Sequence, residues 1–500
     1  MFILLILLFL HNYCIAKDNS CKVNRQFYVR NKFEPILQEN TVKIDNNNPL
    51  FQKLENSFFA QIGSNPKYIE DEDYHWFDGD GMIHAIFVNN TYITYQNRWI
   101  QTKRLQIENK WNRKMHVYFG ELRGWKGLFK AIQYTLFEKL NIINPHKGTA
   151  NTALLYWNKK LYALHEGDKP YELNIDYENF NISTSGRFND YENIFSTTAH
   201  PIIDKKRDLL YLYGYNNYNF KDGKFIFNVF DKNMNLLDQQ NISLINNGMI
   251  HEATFTGDKM IVPDLPLKYD ENNIIKGELP LYFDKLNGTT RFGVFDINDK
   301  IVDWYYFNEN FFIFHFIKSI EEKEKIKIYA CVMENAFLND FIELDSPDNE
   351  RNIVRGKITL KELIIDTAKN KTYINENAFI EDLNLNFYYN LDFPVISKLD
   401  PNIIYLTIFN AKNNYISGYV KVDITNFLYS IPKIYILKNE HYGNSEPQCV
   451  VIDNEEYLLT FSNNYDKSFI SLIDVENKNM ESLEIKERVP PGFHSIYFKI

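Results

Sequence analysis

Short runs of β-branched and aromatic residues, each closed off by Asn, Asp or Gly, recur along this chain. That pattern confines it to folds made almost entirely of strands. Residues 92–95, 209–215, 224–230, 327–332 and 456–461 are typical. Helical periodicity is rare. It stands out only where Leu128, Ile132, Leu136 and Leu140 share one stripe, with Phe129 and Phe137 beside it and Trp125 just ahead. Such a helix either docks on a membrane or packs against the strands. No Pro/Gly/Ser-rich linker divides the chain, and with 16% aromatic and 24% charged residues it can build a substantial core. Many short strands with frequent turns suit a sandwich, a barrel or a propeller, and no strict repeat decides between them.

The formal net charge of −10 disfavours nucleic acid, whose phosphates attract basic surfaces. At the N-terminus, Phe2 to Leu10 is unbroken apolar sequence followed by Cys14-Ile-Ala16, a small-residue cleavage site. The run is far shorter than the roughly 20 residues that span a bilayer. We read residues 1–16 as a secretory signal peptide lacking the usual positive n-region, with an uncleaved anchor as the alternative, and residues 17–500 as one domain. The expected location is the secretory pathway, in the ER lumen or outside the cell. The mature chain would keep Cys21, Cys331 and Cys449, which allow at most one bridge. Asn-x-Ser/Thr acceptors begin at Asn89, Asn181, Asn241, Asn287 and Asn370, and in a secreted glycoprotein these should lie in surface loops.

Four histidines sit in short apolar or turn-bounded segments: His200 in Thr-Thr-Ala-His-Pro, His251 in Met-Ile-His-Glu, His315 in Phe-Ile-Phe-His-Phe and His494 in Pro-Pro-Gly-Phe-His. A lone histidine of this kind is ordinarily a hydrogen-bonded core residue, because an unpaired buried ring nitrogen costs about 1–3 kcal/mol. Four of them point to a metal. Their spacing does not match zinc fingers or zincins: His251-Glu252 begins like H-E-x-x-H, but Phe255 occupies the second histidine position. Asp78-Gly-Asp80-Gly lacks the glutamate that closes a calcium loop, since Asn89 stands at the twelfth position, and it reads as a tight turn. Ligand type alone suits Fe, Zn, Cu or Ni.

Block after block, from Trp76 to the C-terminus, the chain resembles the carotenoid cleavage oxygenase family. The blocks are Trp76-Phe-Asp-Gly-Asp-Gly-Met-Ile-His84, Gly148-Thr-Ala-Asn-Thr-Ala-Leu-Leu-Tyr156, Leu161-Tyr-Ala-Leu-His-Glu-Gly-Asp-Lys-Pro-Tyr171, Thr198-Ala-His-Pro, Met249-Ile-His, Val262-Pro-Asp-Leu-Pro266, Arg291-Phe-Gly-Val, Phe314-His-Phe, Asp392-Phe-Pro, Ser445-Glu-Pro and Arg488-Val-Pro-Pro-Gly-Phe-His494. The second and third are most similar to plant-type carotenoid cleavage dioxygenases. The resemblance implies an all-β, seven-bladed β-propeller with a few helices near the mouth of a substrate tunnel. It also implies one Fe(II) per subunit, held by His200, His251, His315 and His494 from inner strands of different blades.

On a strand, neighbours of a channel-facing His315 should point into the packing between sheets, so Phe314 and Phe316 are expected there, and Phe493 likewise beside His494. The resemblance further implies that Glu166, Asp392 and Glu446 accept hydrogen bonds from His251, His315 and His494. In much of the family the middle acid is Glu, so Asp392, one methylene shorter, is expected to sit farther from its ring. Thr152 matches the position that crowds the sixth coordination site. Carotenoid or apocarotenoid and dioxygen are the implied substrates, the products being two carbonyl fragments. The stripe of Leu128, Ile132, Leu136 and Leu140 is the candidate membrane contact. The competing readings are a retinoid isomerohydrolase-like reaction on the same fold and a secreted propeller that binds a lipid or partner without turnover.

Overall fold

The structure, a computed structural model, describes residues 27–69, 74–143, 148–188, 196–215, 222–336, 357–387, 389–410, 415–438, 441–465 and 467–500. Residues 1–16, read above as a signal peptide, and Cys21 lie outside the described residues. Among those described, 28 strands group into seven four-stranded antiparallel sets arranged as propeller blades, with Leu267–Tyr269, Leu281–Phe283, Tyr442–Gly443 and Ser495–Lys499 outside them.

Blade 1 comprises Ser57–Ser64, Gly81–Val88, Tyr92–Trp99 and Thr41–Asp45. The first strands of blades 2 to 7 are Ala153–Trp157, Ile202–Asp204, Thr254–Thr256, Phe312–Glu322, Tyr389–Ile396 and Gln448–Ile452. The first strands of blades 1 and 2, 4 and 5, 5 and 6, and 6 and 7 touch one another along the inner wall. The C-terminal strand Ser495–Lys499 returns to pair with Ser57–Ser64, so the chain's own end closes the ring.

The five sequence-predicted strands are all present, at Tyr92–Trp99, Leu209–Tyr215, Lys224–Phe230, Lys325–Met333 and Glu455–Asn464. Their two-residue alternation explains the architecture. In Leu209–Tyr215, Leu210 and Leu212 point into the core shared with blade 2, whereas Tyr211 and Tyr213 point into the core shared with blade 4. In Lys325–Met333, Ile326, Ile328, Ala330 and Val332 face blade 4, while Tyr329 and Cys331 face blade 6. Each blade is therefore apolar on both faces, and seven separate cores fill the seven junctions. Cys331 and Cys449 are buried free thiols in different junctions.

The predicted helix forms as Gly124–Lys139, with Leu140 as its C-cap residue. It does not bury its stripe. Trp125, Phe129, Ile132, Leu136 and Leu140 are exposed, and only Leu128 of the original four is half-buried. Among the described residues no helix is long and apolar enough to cross a membrane. Of the five acceptor asparagines, Asn181, Asn241, Asn287 and Asn370 are exposed and Asn89 is half-buried. Asn181 and Asn241 lie in the last strands of blades 2 and 3 rather than in loops. The Asp78-Gly-Asp80 turn is structural: Asp78 accepts the backbone N–H groups of Phe119 and Gly120 at 2.5 and 3.0 Å, and Asp80 takes that of Lys67 at 3.0 Å.

Candidate metal centre

His200 and His251 lie in the connections that lead into the first strands of blades 3 and 4, His494 just before the closing strand Ser495–Lys499 that pairs with the first strand of blade 1, and His315 within the first strand of blade 5. The expectation that they occupy inner strands is met strictly only by His315. Irregular backbone holds the other three in place through its own hydrogen bonds. Thr198 Oγ1 accepts the N–H of His200 at 2.8 Å and donates to the carbonyl of His251 at 3.3 Å. The buried Tyr213 hydroxyl donates to the His200 carbonyl at 2.6 Å and accepts the Ala253 N–H at 2.8 Å. Two segments far apart in sequence are thus pinned to one phenol.

The Pro-Pro-Gly-Phe-His segment is placed by close backbone approach. A Cβ on Gly492 would stand 2.8 Å from the Ile62 carbonyl oxygen, and one on Gly63 would stand 2.7 Å from Gly492 Cα. This contact lets Phe493 donate to the Ile62 carbonyl and His494 accept from the Ile62 N–H, at 2.8 and 3.0 Å. Glu446 N–H donates to Phe493 O at 3.0 Å, which brings the Ser445-Glu-Pro loop alongside. His494 N–H also donates to Thr152 O at 3.3 Å, so Thr152 adjoins the centre through its backbone. Its hydroxyl donates to Asn151 Oδ1 at 3.0 Å.

These constraints gather four ring nitrogens, one per histidine, within 4.8 Å of one another. The Nε2 atoms of His200 and His251 are 3.0 Å apart. Two adjacent ligands each about 2.1 Å from one octahedral ion would be separated by about 3.0 Å. His315 Nε2 is buried with no hydrogen-bond partner among the described residues. Burial lowers the His315 pKa, an effect that Asp392 only partly offsets, and burial lowers that of His200 well below the ordinary value. Uncharged imidazoles with inward lone pairs are what a divalent transition metal requires. The donor set fits one ion.

The Nδ1 atoms face outward onto acids. His251 Nδ1 lies 2.5 Å from Glu166 Oε1, His315 Nδ1 2.6 Å from Asp392 Oδ1 and His494 Nδ1 3.2 Å from Glu446 Oε2. Burial would raise the Glu166 carboxyl, but His251 outweighs it and holds it at about 2. The longer separation expected at Asp392 is not seen: its 2.6 Å lies between the 2.5 Å of Glu166 and the 3.2 Å of Glu446. The blade 6 strand slips register between Asp392 and Val395, and Phe393 takes a left-handed φ of 48°, so the backbone makes up the missing methylene. Asp392 Oδ1 also accepts the Phe393 N–H at 2.9 Å.

Of the aromatic neighbours of His315, one departs from the strand expectation in part. Phe316 is buried in the junction of blades 4 and 5 as predicted. Phe314 is half-buried, its ring centroid 5.1 Å from that of His251, because the strand slips register on both sides of Phe316. Phe393 was not singled out from sequence, yet its centroid lies 5.4 Å from His315 and 5.1 Å from His494. Its position just after Asp392 was the available signal.

Residues 52–499 match the family described as retinal pigment epithelial membrane protein, RPE65. The chain belongs to that family. Among curated relatives of this RPE65/carotenoid cleavage oxygenase family, carotenoid 9,10(9',10')-cleavage dioxygenase 1 of Pisum sativum is 29% identical over 472 residues, covering 88% of this chain and 84% of its own. The enzyme of the same name from Arabidopsis thaliana is 28% identical over 505 residues, covering 94% and 89%. Lignostilbene dioxygenase of Pseudomonas brassicacearum superposes with a TM-score of 0.74 at 17% identity, over 96% of this chain and 100% of that one. The carotenoid cleavage oxygenase resemblance and the β-propeller both hold, and the chain is an enzyme of the oxygenase class.

Proposed function

We propose that this protein is a non-haem Fe(II) dioxygenase that cleaves a carbon–carbon double bond of a carotenoid or apocarotenoid, giving two carbonyl products. The observation that carries the reading is the ring of four inward imidazoles, three of them backed by a carboxylate in near contact, in a chain of this family. His200, His251, His315 and His494 would hold the iron, which supplies the means of binding dioxygen beside an alkene. Glu166, Asp392 and Glu446 fix the ring tautomers, so that Nδ1 keeps its proton and Nε2 presents its lone pair. Phe314 and Phe393 flank the imidazoles and limit water access. Thr152, hydrogen-bonded through its carbonyl to His494, would stand beside the iron and crowd one side of it.

Both oxygen atoms can end in products, so no separate reductant is required. The test is anaerobic iron reconstitution followed by turnover of a panel of carotenoids, apocarotenoids, stilbenes and retinyl esters under heavy dioxygen. Labelled carbonyls support the reading. Ester cleavage without oxygen uptake would instead favour the isomerohydrolase reaction, and no turnover with any substrate would favour a binding protein.

We further propose that residues 1–16 are removed and that the enzyme works in the secretory pathway. The exposure of Asn181, Asn241, Asn287 and Asn370 supports glycan attachment there. An N-terminus at Lys17 and a mass reduced by glycosidase are expected; an unprocessed, unglycosylated protein would contradict this. Peripheral membrane docking through the Gly124–Lys139 helix is supported by its exposed apolar face and would let a lipophilic polyene leave the bilayer directly.

A further inference from the structure

Three of the four imidazoles have an acid in near contact with Nδ1, and the fourth has one at a longer range. His200 Nδ1 lies 3.8 Å from Glu252 Oε1, and no hydrogen bond from it to another acceptor occurs among the described residues. The same carboxylate accepts the backbone N–H of Phe316 through Oε2 at 2.5 Å. Phe316 follows His315 at the point where the blade 5 strand slips register. Glu252 therefore stands between the backbone beside one candidate ligand, which it hydrogen-bonds, and the ring of another, which it faces.

Alternation along a strand would have sent Glu252 away from the centre, since it follows His251 directly. It does not, because the backbone from Ile250 to Ala253 is irregular and strand structure begins only at Thr254. The consequence is that all four Nδ1 atoms face a carboxylate, at 2.5, 2.6, 3.2 and 3.8 Å. The last distance is too long for a direct hydrogen bond, and a modest ring rotation or one bridging water would close it.

We propose that Glu252 is the positioning residue of His200: with Oε2 anchored on Phe316, Oε1 fixes the His200 tautomer and aims its Nε2 at the metal. The proposal rests on the four histidines forming the metal centre. Glu252 touches no reacting atom, and its effect passes through His200.

Titration of metal-free protein with Co(II) tests this, read by chelator competition and by the visible spectrum of the bound ion. Glu252→Gln keeps an oxygen for the Phe316 N–H but turns an NH2 group, which cannot accept a hydrogen bond, toward His200 Nδ1. It is expected to weaken Co(II) about 10-fold or more, within the roughly 10–100-fold range for outer partners of ligating histidines. The visible bands should shift while the thermal midpoint of the metal-free protein stays put. Wild-type affinity and spectrum in a folded Glu252→Gln protein would overturn the proposal and leave Glu252 as a support for Phe316 alone. Should that variant not fold, Glu252→Asp decides, since a carboxylate one methylene shorter cannot span both partners. Weakened Co(II) binding with shifted bands is expected, and unchanged values refute the assignment. If wild-type protein binds no Co(II), or binds it as tightly after His200→Ala, the four-histidine reading itself fails, which is a separate outcome.

Discussion

Replacing Asp392 separates the charge of an outer carboxylate from its hydrogen-bonding oxygen. Asp392 Oδ1 accepts from His315 Nδ1 at 2.6 Å and from Phe393 N at 2.9 Å. In Asp392→Asn a neutral amide oxygen can serve both donors. What is lost is the difference between a charge-assisted bond, about 1.5–3 kcal/mol, and a neutral one, about 0.5–1.5 kcal/mol. A loss of about 1.4 kcal/mol is tenfold in affinity. Asp392→Ala removes the oxygen altogether and leaves two buried N–H groups without an acceptor, at about 1–3 kcal/mol each. One of them belongs to Phe393, whose left-handed backbone already costs about 1–2 kcal/mol and depends on that anchor.

The Asn variant should therefore bind Fe(II) about tenfold more weakly with a nearly unchanged melting temperature. The Ala variant should bind at least a hundredfold more weakly and also melt several degrees lower. Anaerobic metal competition and calorimetry of the metal-free forms measure the two effects separately. If the two variants behave alike, or if Asn binds iron as tightly as wild type, the carboxylate does not act through His315 in the way described.

Three further outcomes are expected. Burial and the nearby Arg488 hold the His84 ring at about 3, well below its unfolded value of about 6.5. The unfolded chain alone takes up that proton between those limits, so metal-free protein should lose up to ~1.4 kcal/mol per pH unit from this ring as pH falls below about 6.5. Substituting His84 by Gln should flatten the slope by about one proton, and an unchanged slope in denaturant titrations at pH 7.5 and 5.5 would count against the assignment. Ile132→Glu with Leu136→Glu should reduce liposome flotation severalfold while sparing turnover of detergent-solubilised substrate; equal flotation would remove the helix as the docking surface. Deleting residues 495–500 should abolish cooperative unfolding, because Ser495–Lys499 closes the ring against Ser57–Ser64 and Phe498 stacks 3.9 Å from Tyr156. A truncated protein with the wild-type midpoint would show that closure is dispensable.

How much of this was legible beforehand follows from what each feature depends on. Strands such as Leu209–Tyr215 were readable because both faces are buried and the residues are β-branched or aromatic. The blade count came from family resemblance, since the inner connections differ too much in length to show a repeat. The four histidines were found through their local segments, and the acids Glu166, Asp392 and Glu446 through theirs. Glu252 and Phe393 were hidden for one shared reason: each sits where the backbone leaves the regular strand, at an irregular connection or at a left-handed turn, and alternation then misplaces side chains. The exposure of Ile132 and Leu136 was equally undecidable, because an apolar stripe looks the same whether protein or lipid covers it.

The central claim is that four histidines hold one iron that brings dioxygen to a polyene double bond. Its most direct test is the iron content of anaerobically reconstituted wild-type protein and of the His200, His251, His315 and His494 alanine variants, measured with oxygen consumption on an apocarotenoid. The account predicts one iron per wild-type chain, a strong loss of iron in every variant, and one dioxygen consumed per double bond cleaved. Full iron retention in all four variants, or cleavage that proceeds without oxygen uptake, would contradict it.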